Sequence, residues 1–250
     1  MNLEWGTFAL LMLIVVISHV LEGITGFGST ALSIPFMSLL IPVYVAKPVL
    51  AIYTLILCGY ILFRHHRQIH WAAFRKMASW LLPGLPAGIA VYAFLPQRLL
   101  MWVLAVFTVA VAIRGLGICF ELLPPEKRSL PKAVERLLLL LGGAMHGAFA
   151  SGGPIIVIHA TKAVPDKDQF RATMCLIWLM LNSILLVQMG VAKQLTEEVL
   201  LLSVEGLPFL IFSTILGDLA QKRMKGGVFT KITFAMLLLS GLAMVWTQLR

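Results

Sequence analysis

The stretch LEGITGFGSTALSIPFM, running from Leu21 to Met37, sets an acid, Glu22, and three glycines, Gly23, Gly26 and Gly28, within an otherwise apolar segment. Glycine is a poor helix residue, and a carboxylate inside a membrane costs roughly 2.5–3.5 kcal/mol on insertion scales. A backbone break in hydrocarbon leaves polar groups unsatisfied at several kcal/mol each, so it persists only where protein or water covers it. The stretch therefore reads as a broken membrane segment that lines a cavity.

Its surroundings agree. The 250 residues are 60% hydrophobic and 12% charged, more apolar surface than a soluble domain of that length buries. Apolar runs fall at 48–63, 77–95, 98–120, 172–190, 199–220 and 226–248, with two longer interrupted ones at 5–42 and 133–163. This is the pattern of an all-α integral membrane protein with no soluble domain left over. Met1 to Gly6 carries Glu4 but no Lys or Arg, unlike a cleaved signal peptide, so the first segment is expected to stay in the mature protein. Cys58, Cys119 and Cys175 are scattered among apolar neighbours and read as packing residues, with no metal or other cofactor implied. The net charge of +9 lies in short clusters between the apolar runs, which points to basic cytoplasmic loops and away from nucleic acid.

A shift of 124 positions lays Gly23-Ile24-Thr25-Gly26-Phe27-Gly28-Ser29-Thr30 on Gly147-Ala148-Phe149-Ala150-Ser151-Gly152-Gly153-Pro154. It also lays Glu22 on His146, Pro35 on His159 and Lys47 on Arg171. Three apolar spans follow in each half. The expectation is a duplicated membrane bundle, with an N-terminal repeat at 1–124 and a C-terminal repeat at 125–250.

Segment 5–42 is too long for one crossing, since about 20 helical residues span the hydrocarbon core, and its glycines divide it into two stretches of about half-membrane length. If both interrupted segments return to the side they came from, the clusters Arg64/Arg67/Arg75/Lys76, Lys127/Arg128/Lys132/Arg136, Lys162/Lys167/Arg171 and Lys222/Arg223/Lys225 all face the cytoplasm, leaving Lys47, Arg98, Lys193 and Arg250 outside. Single crossings would erase that bias. Re-entrant hairpins and pairs of short crossings give the same parity, so eight to ten membrane segments are expected, with the halves inversely oriented.

In the hairpin reading, half-helices begin near Ser29 and Gly153, and each N-terminus offers free N–H groups and about half a positive charge. With the hydroxyls of Thr25, Ser29, Thr30 and Ser151, these ends make a midplane site for a small anion. Gly26, Gly28, Gly152 and Gly153 let the backbone approach the ligand. Phe27 belongs to the same loop, and Pro154 suits a first helical turn. Gly84, Gly88 and Gly143 instead fit close helix packing.

Glu22 and His146 stand just before the breaks. Burial and the negative end of its own helix both favour a protonated Glu22, a proton-coupling candidate that His146 and His19 could share, against a plain structural hydrogen bond. Arg171 is expected to draw anions in; Lys47 could do so or anchor at the interface. Glu205 is a weaker candidate inside its span, and Asp218 reads as a surface ion pair. His65, His66 and His70 read as a solvated loop rather than a metal site.

The motifs GITGFGSTALSIP (Gly23–Pro35), GAFASGGPIIVIH (Gly147–His159) and DKDQFRATMCLIWLMLN (Asp166–Asn182) resemble those of the TauE/SafE permeases, also described as the 4-toluene sulfonate uptake permease family. The resemblance covers essentially the whole chain. It implies a multi-pass protein of the bacterial inner membrane that carries small anions, often sulfite, sulfoacetate or other organosulfonates, with functional loops at Gly23–Thr30 and Gly147–Pro154. His159 departs from the more typical Tyr or Pro, and Ala150 replaces a glycine.

The sequence thus points to a secondary transporter, not an enzyme, that moves a small sulfur-containing or carboxylate anion, with proton coupling as an added expectation. The alternatives are a passive anion channel and an intramembrane hydrolase built on Ser151. The latter is disfavoured because a G-x-S-G motif would need glycine where Phe149 stands. Expected partners are the anion, the lipid bilayer and, as an open alternative, a second copy of the chain.

Overall fold

The computed structural model describes residues 4–94, 97–124, 131–150 and 153–249. Among them are α-helices and one 3-10 turn, with no strand. The helices are α1 (Trp5–Thr25), α2 (Ser29–Met37), α3 (Val43–His65), α4 (Trp71–Phe94), α5 (Gln97–Cys119), α6 (Lys132–Phe149), α7 (Gly153–Ala163), α8 (Lys167–Val191), α9 (Glu197–Glu205), α10 (Leu207–Arg223) and α11 (Gly226–Leu249). Four are long and apolar enough to cross a membrane: α1, α3 with its following turn, α8 and α11. The α9–α10 pair, bent by 50°, makes a fifth as a broken span or re-entrant loop. At 24 and 23 residues, α4 and α5 have the length for further crossings.

The interruptions fall at the glycine clusters, but their proportions differ from two half-length stretches. Nothing between Trp5 and Thr25 stops α1, so its 21 residues extend about 31 Å, whereas the 9 residues of α2 reach only about 14 Å. The second break repeats this pairing, with 18 residues in α6 and 11 in α7. Run 199–220 is also not one continuous helix. Pro208 has no N–H to return to Val204, and Gly206 leaves room for the Tyr53 hydroxyl, which donates to the Leu202 carbonyl at 2.9 Å. The start of α9 is fixed by Thr196, whose hydroxyl accepts from the Val199 N–H, and by Glu197 and Glu198 in its first turn.

Packing sorts the helices into two compact units, Met1–Ile69 with Arg171–Arg223 and His70–Phe170 with Met224–Arg250. Element order follows the 124-residue repeat, α1 to α5 corresponding to α6 to α11 with α9 and α10 counted as one. Each unit nevertheless draws on both halves. In the first unit α1 packs on α10, α2 on α1 and α3, and α9 on α3. In the second, α6 packs on α4, α7 on α6 and α5, and α11 on α5. The first helix of each half thus takes as its neighbour the fourth-place helix of the other.

Small residues let these pairs approach. A Cβ on Gly84 or Gly88 would run into the Leu140 or Ala144 backbone of α6, and one on Gly143 or Gly147 into the Leu81 or Leu85 carbonyl of α4. In the first unit Gly23 and Gly217 touch, a Cβ on Gly23 lying 3.1 Å from the Gly217 Cα. Gly23 and Gly147 are therefore packing glycines inside helices, not members of the loops. By contrast Gly59, within α3, faces open space, and a Cβ there would meet nothing within 4 Å. Gly88→Ala should lower the unfolding midpoint of the detergent-purified protein, at a cost of about 1–3 kcal/mol, while Gly59→Ala leaves it unchanged or raises it.

Candidate functional site

Within the first unit, α1 ends where Gly26 turns left-handed, at φ 80° and ψ 11°, and its N–H closes on the Glu22 carbonyl at 2.6 Å. Gly28, at φ 100°, then opens α2. Two left-handed residues so close together require glycine. The Thr25 hydroxyl lies 2.8 Å from the Leu21 carbonyl and 2.9 Å from that of Phe27, bracing the turn. Phe27 is fully buried.

No side chain caps α2, although Ser29, Thr30 and Ala31, whose N–H groups open it, are all buried. A buried helix start without a cap holds donors that call for a ligand. The Glu22 carboxyl is only 2% exposed, and the hydroxyls of Ser29 and Thr54 both hydrogen-bond it. Its Oε2 has no partner. His19, one turn earlier, is buried with Nδ1 2.8 Å from the Val15 carbonyl and its ring edge-on to Tyr53.

Arg171, from the other half of the sequence, packs against this turn. A Cβ on Gly26 would lie 2.9 Å from the Arg171 carbonyl oxygen and 3.2 Å from its Cγ. The Arg171 side chain is 3% exposed, and its Nη1 donates to Asp218 Oδ1 at 2.9 Å and to Gln221 Oε1 at 3.4 Å. Its Nε and Nη2 are buried without hydrogen-bond partners, an arrangement that costs about 1–3 kcal/mol per donor, more for a charged group. The Cys58 thiol, buried like that of Cys175, hydrogen-bonds it.

Asp218 is no surface ion pair. It is buried in α10 and receives Lys222 Nζ at 2.8 Å, His65 Nε2 at 3.0 Å and Arg64 Nε at 3.9 Å besides Arg171. His65 therefore serves this carboxylate instead of a solvated loop. One acid among three guanidinium or ammonium groups leaves the region net positive, and Arg64 and Lys222 are about half exposed. Glu205, expected inside its span, is exposed at the end of α9. Thr54, Cys58, Cys175, Asp218 and Gln221 are additions to the site that sequence reasoning does not supply; Thr54, Cys58 and Cys175 leave the signal of a lone hydroxyl or thiol within an apolar run, whereas Asp218 and Gln221 stand close to Lys222 and Arg223.

In the second unit the corresponding turn is Ala150, left-handed at φ 54°, with its N–H closing on the His146 carbonyl at 2.7 Å. The same turn thus recurs at the corresponding position, made by a residue with a Cβ. α7 begins at Gly153, with Pro154 in its first turn. His146 is buried. Ser151 and Gly152 lie outside the described residues. His159, in α7, places Nδ1 2.8 Å from Glu135 Oε1, and Lys76 clasps both oxygens of Glu135 at 2.8 and 2.9 Å.

Residues 10–244 match the family model described as sulfite exporter TauE/SafE. No curated protein and no solved structure matches the chain.

The two turns respond oppositely to a methyl group. Gly26→Ala should destabilise by at least about 1 kcal/mol, through its dihedral and its collision with Arg171. Ala150→Gly should raise the unfolding midpoint, by about 0.5–1 kcal/mol of relieved strain. Thermal unfolding of both variants in one detergent checks the pair of signs.

Proposed function

The chain belongs to the sulfite exporter TauE/SafE family, and from that premise we propose that this membrane permease is a secondary transporter of a small sulfur-containing or carboxylate anion, sulfite or an organosulfonate above all. The observation that carries the reading is the buried, uncapped start of α2, which follows the Gly26 turn against which the backbone and stem of the buried Arg171 lie. An anion leaving water needs donors to replace its hydration, and fixed backbone N–H groups, the Ser29 and Thr30 hydroxyls and a guanidinium supply them without reorganisation.

Substrate contacts are assigned to Thr25, Gly26, Phe27, Gly28, Ser29, Thr30 and Arg171 at the first break, and to Ser151, Gly152 and Gly153 at the second. The halves 1–124 and 125–250 act as inversely oriented repeats, each supplying one break to the transport path. The exposed Arg64 and Lys222 gather anions at the edge of the first unit. Glu22, hydrogen-bonded by Ser29 and Thr54, couples the movement to protons. When neutral it lets the anion settle against Ser29, and when ionised it repels the anion, so proton and anion travel together. His146 holds the corresponding place in the second half. The bacterial inner membrane is the setting this reading requires.

In proteoliposomes, saturable anion flux should be lost in well-folded Ser29→Trp. Glu22→Gln should abolish the acceleration of flux by an imposed pH gradient. Unchanged flux in the first variant would remove the α2 site, and an intact pH response in the second would remove the proton role.

A further inference from the structure

We propose that Arg171 sets the chemical class of the anion: the pair of donors Nε and Nη2 receives two oxygens carried on a single atom, so the site selects oxyanions over halides and linear anions. This rests on the transporter reading above and narrows it. A guanidinium is a rigid planar fork whose Nε–H and one Nη2–H point the same way in parallel, the edge that meets a carboxylate or sulfonate side-on. In this chain the fork is divided. Nη1 is committed to Asp218 Oδ1 and Gln221 Oε1, while the Nε/Nη2 edge is buried without partners.

Asp218 cannot swing round to fill that edge. Its Oδ2 holds Lys222 at 2.8 Å, and its Oδ1 is shared between His65 and Arg171. Asp218 and Gln221 are therefore positioning residues that fix the plane of the fork and leave the side-on edge for the ligand. The Arg171 backbone and stem lie against Gly26, with Cγ 3.2 Å from where a Cβ would stand, so the Nε edge two bonds beyond it belongs to the neighbourhood of the first break. A planar acceptor pair gains two parallel hydrogen bonds there; a spherical or linear anion of equal charge gains one good bond or two bent ones.

The test is calorimetric titration of the purified full chain in micelles with sulfite, methanesulfonate and acetate, against chloride and thiocyanate as competitors. At least one oxyanion should bind about tenfold or more tightly than either competitor, and Arg171→Lys, which keeps the charge but loses the fork, should weaken it by about tenfold. The comparison of anions uses the unaltered chain and so stands even if the variant folds poorly. Chloride or thiocyanate competing within about twofold, or a well-folded Arg171→Lys with undiminished oxyanion affinity, would overturn the assignment while leaving anion transport standing. Binding of none of the five anions would overturn the transporter reading itself and the assignment with it.

Discussion

The structure depends on one requirement: backbone polar groups taken out of a helix inside an apolar medium must find partners. At the first break this is met in stages. The left-handed Gly26 returns its N–H to the helix it ends, Thr25 braces the turn with its hydroxyl, and Gly28 starts α2. What is left over is the start of α2 and one edge of Arg171. The proposed anion site is assigned to those leftovers, because donors fixed in place and shielded from water attract an anion more strongly than mobile ones in solvent.

Charge compensation is the second theme. Arg171 would be prohibitively expensive at such burial if isolated, and Asp218 relieves it. Asp218 in turn is held by Lys222, His65 and Arg64, so the buried pair is linked to half-exposed cations by ion pairs. The region keeps an excess of positive charge while every acid in it is engaged. The second unit shows a smaller version, in which Glu135 is shared by Lys76 and His159.

The locations of the breaks are legible in the sequence, because glycine and proline act locally: α2 and α7 begin at Ser29 and Gly153, as the motif spacing predicts. Arg171 is legible as a charge at a repeat position, though not its contact with Gly26 of the opposite half. Lengths are less legible, since no residue in an apolar run says how far a helix continues, and α1 is a full-length helix. The bend at Gly206 is written in Gly206 and Pro208 but hidden within a continuous apolar run. Asp218 misleads because its nearest sequence neighbours, Lys222 and Arg223, suggest a surface, while the residue that buries it, Arg171, comes from a distant helix. Which helix pairs with which depends on small-residue contacts such as Gly23 with Gly217, and these leave no periodic trace when nearly every face is apolar.

The crossed pairing of α1 with α10 and of α4 with α6 has a consequence for biogenesis. A chain made from its N-terminus at roughly 5–20 residues per second delivers α1, α2 and α3 into the bilayer long before α10 exists. During that interval Glu22 has Ser29 and Thr54 for company, but Gly23 has no Gly217 to meet, and Arg171 has not yet been synthesised to lie against Gly26. The second unit can close α4 on α6 from segments much nearer in sequence. Assembly is therefore expected to run from the middle of the chain outward, with the first segment waiting half-dressed in the bilayer until its late partner is made.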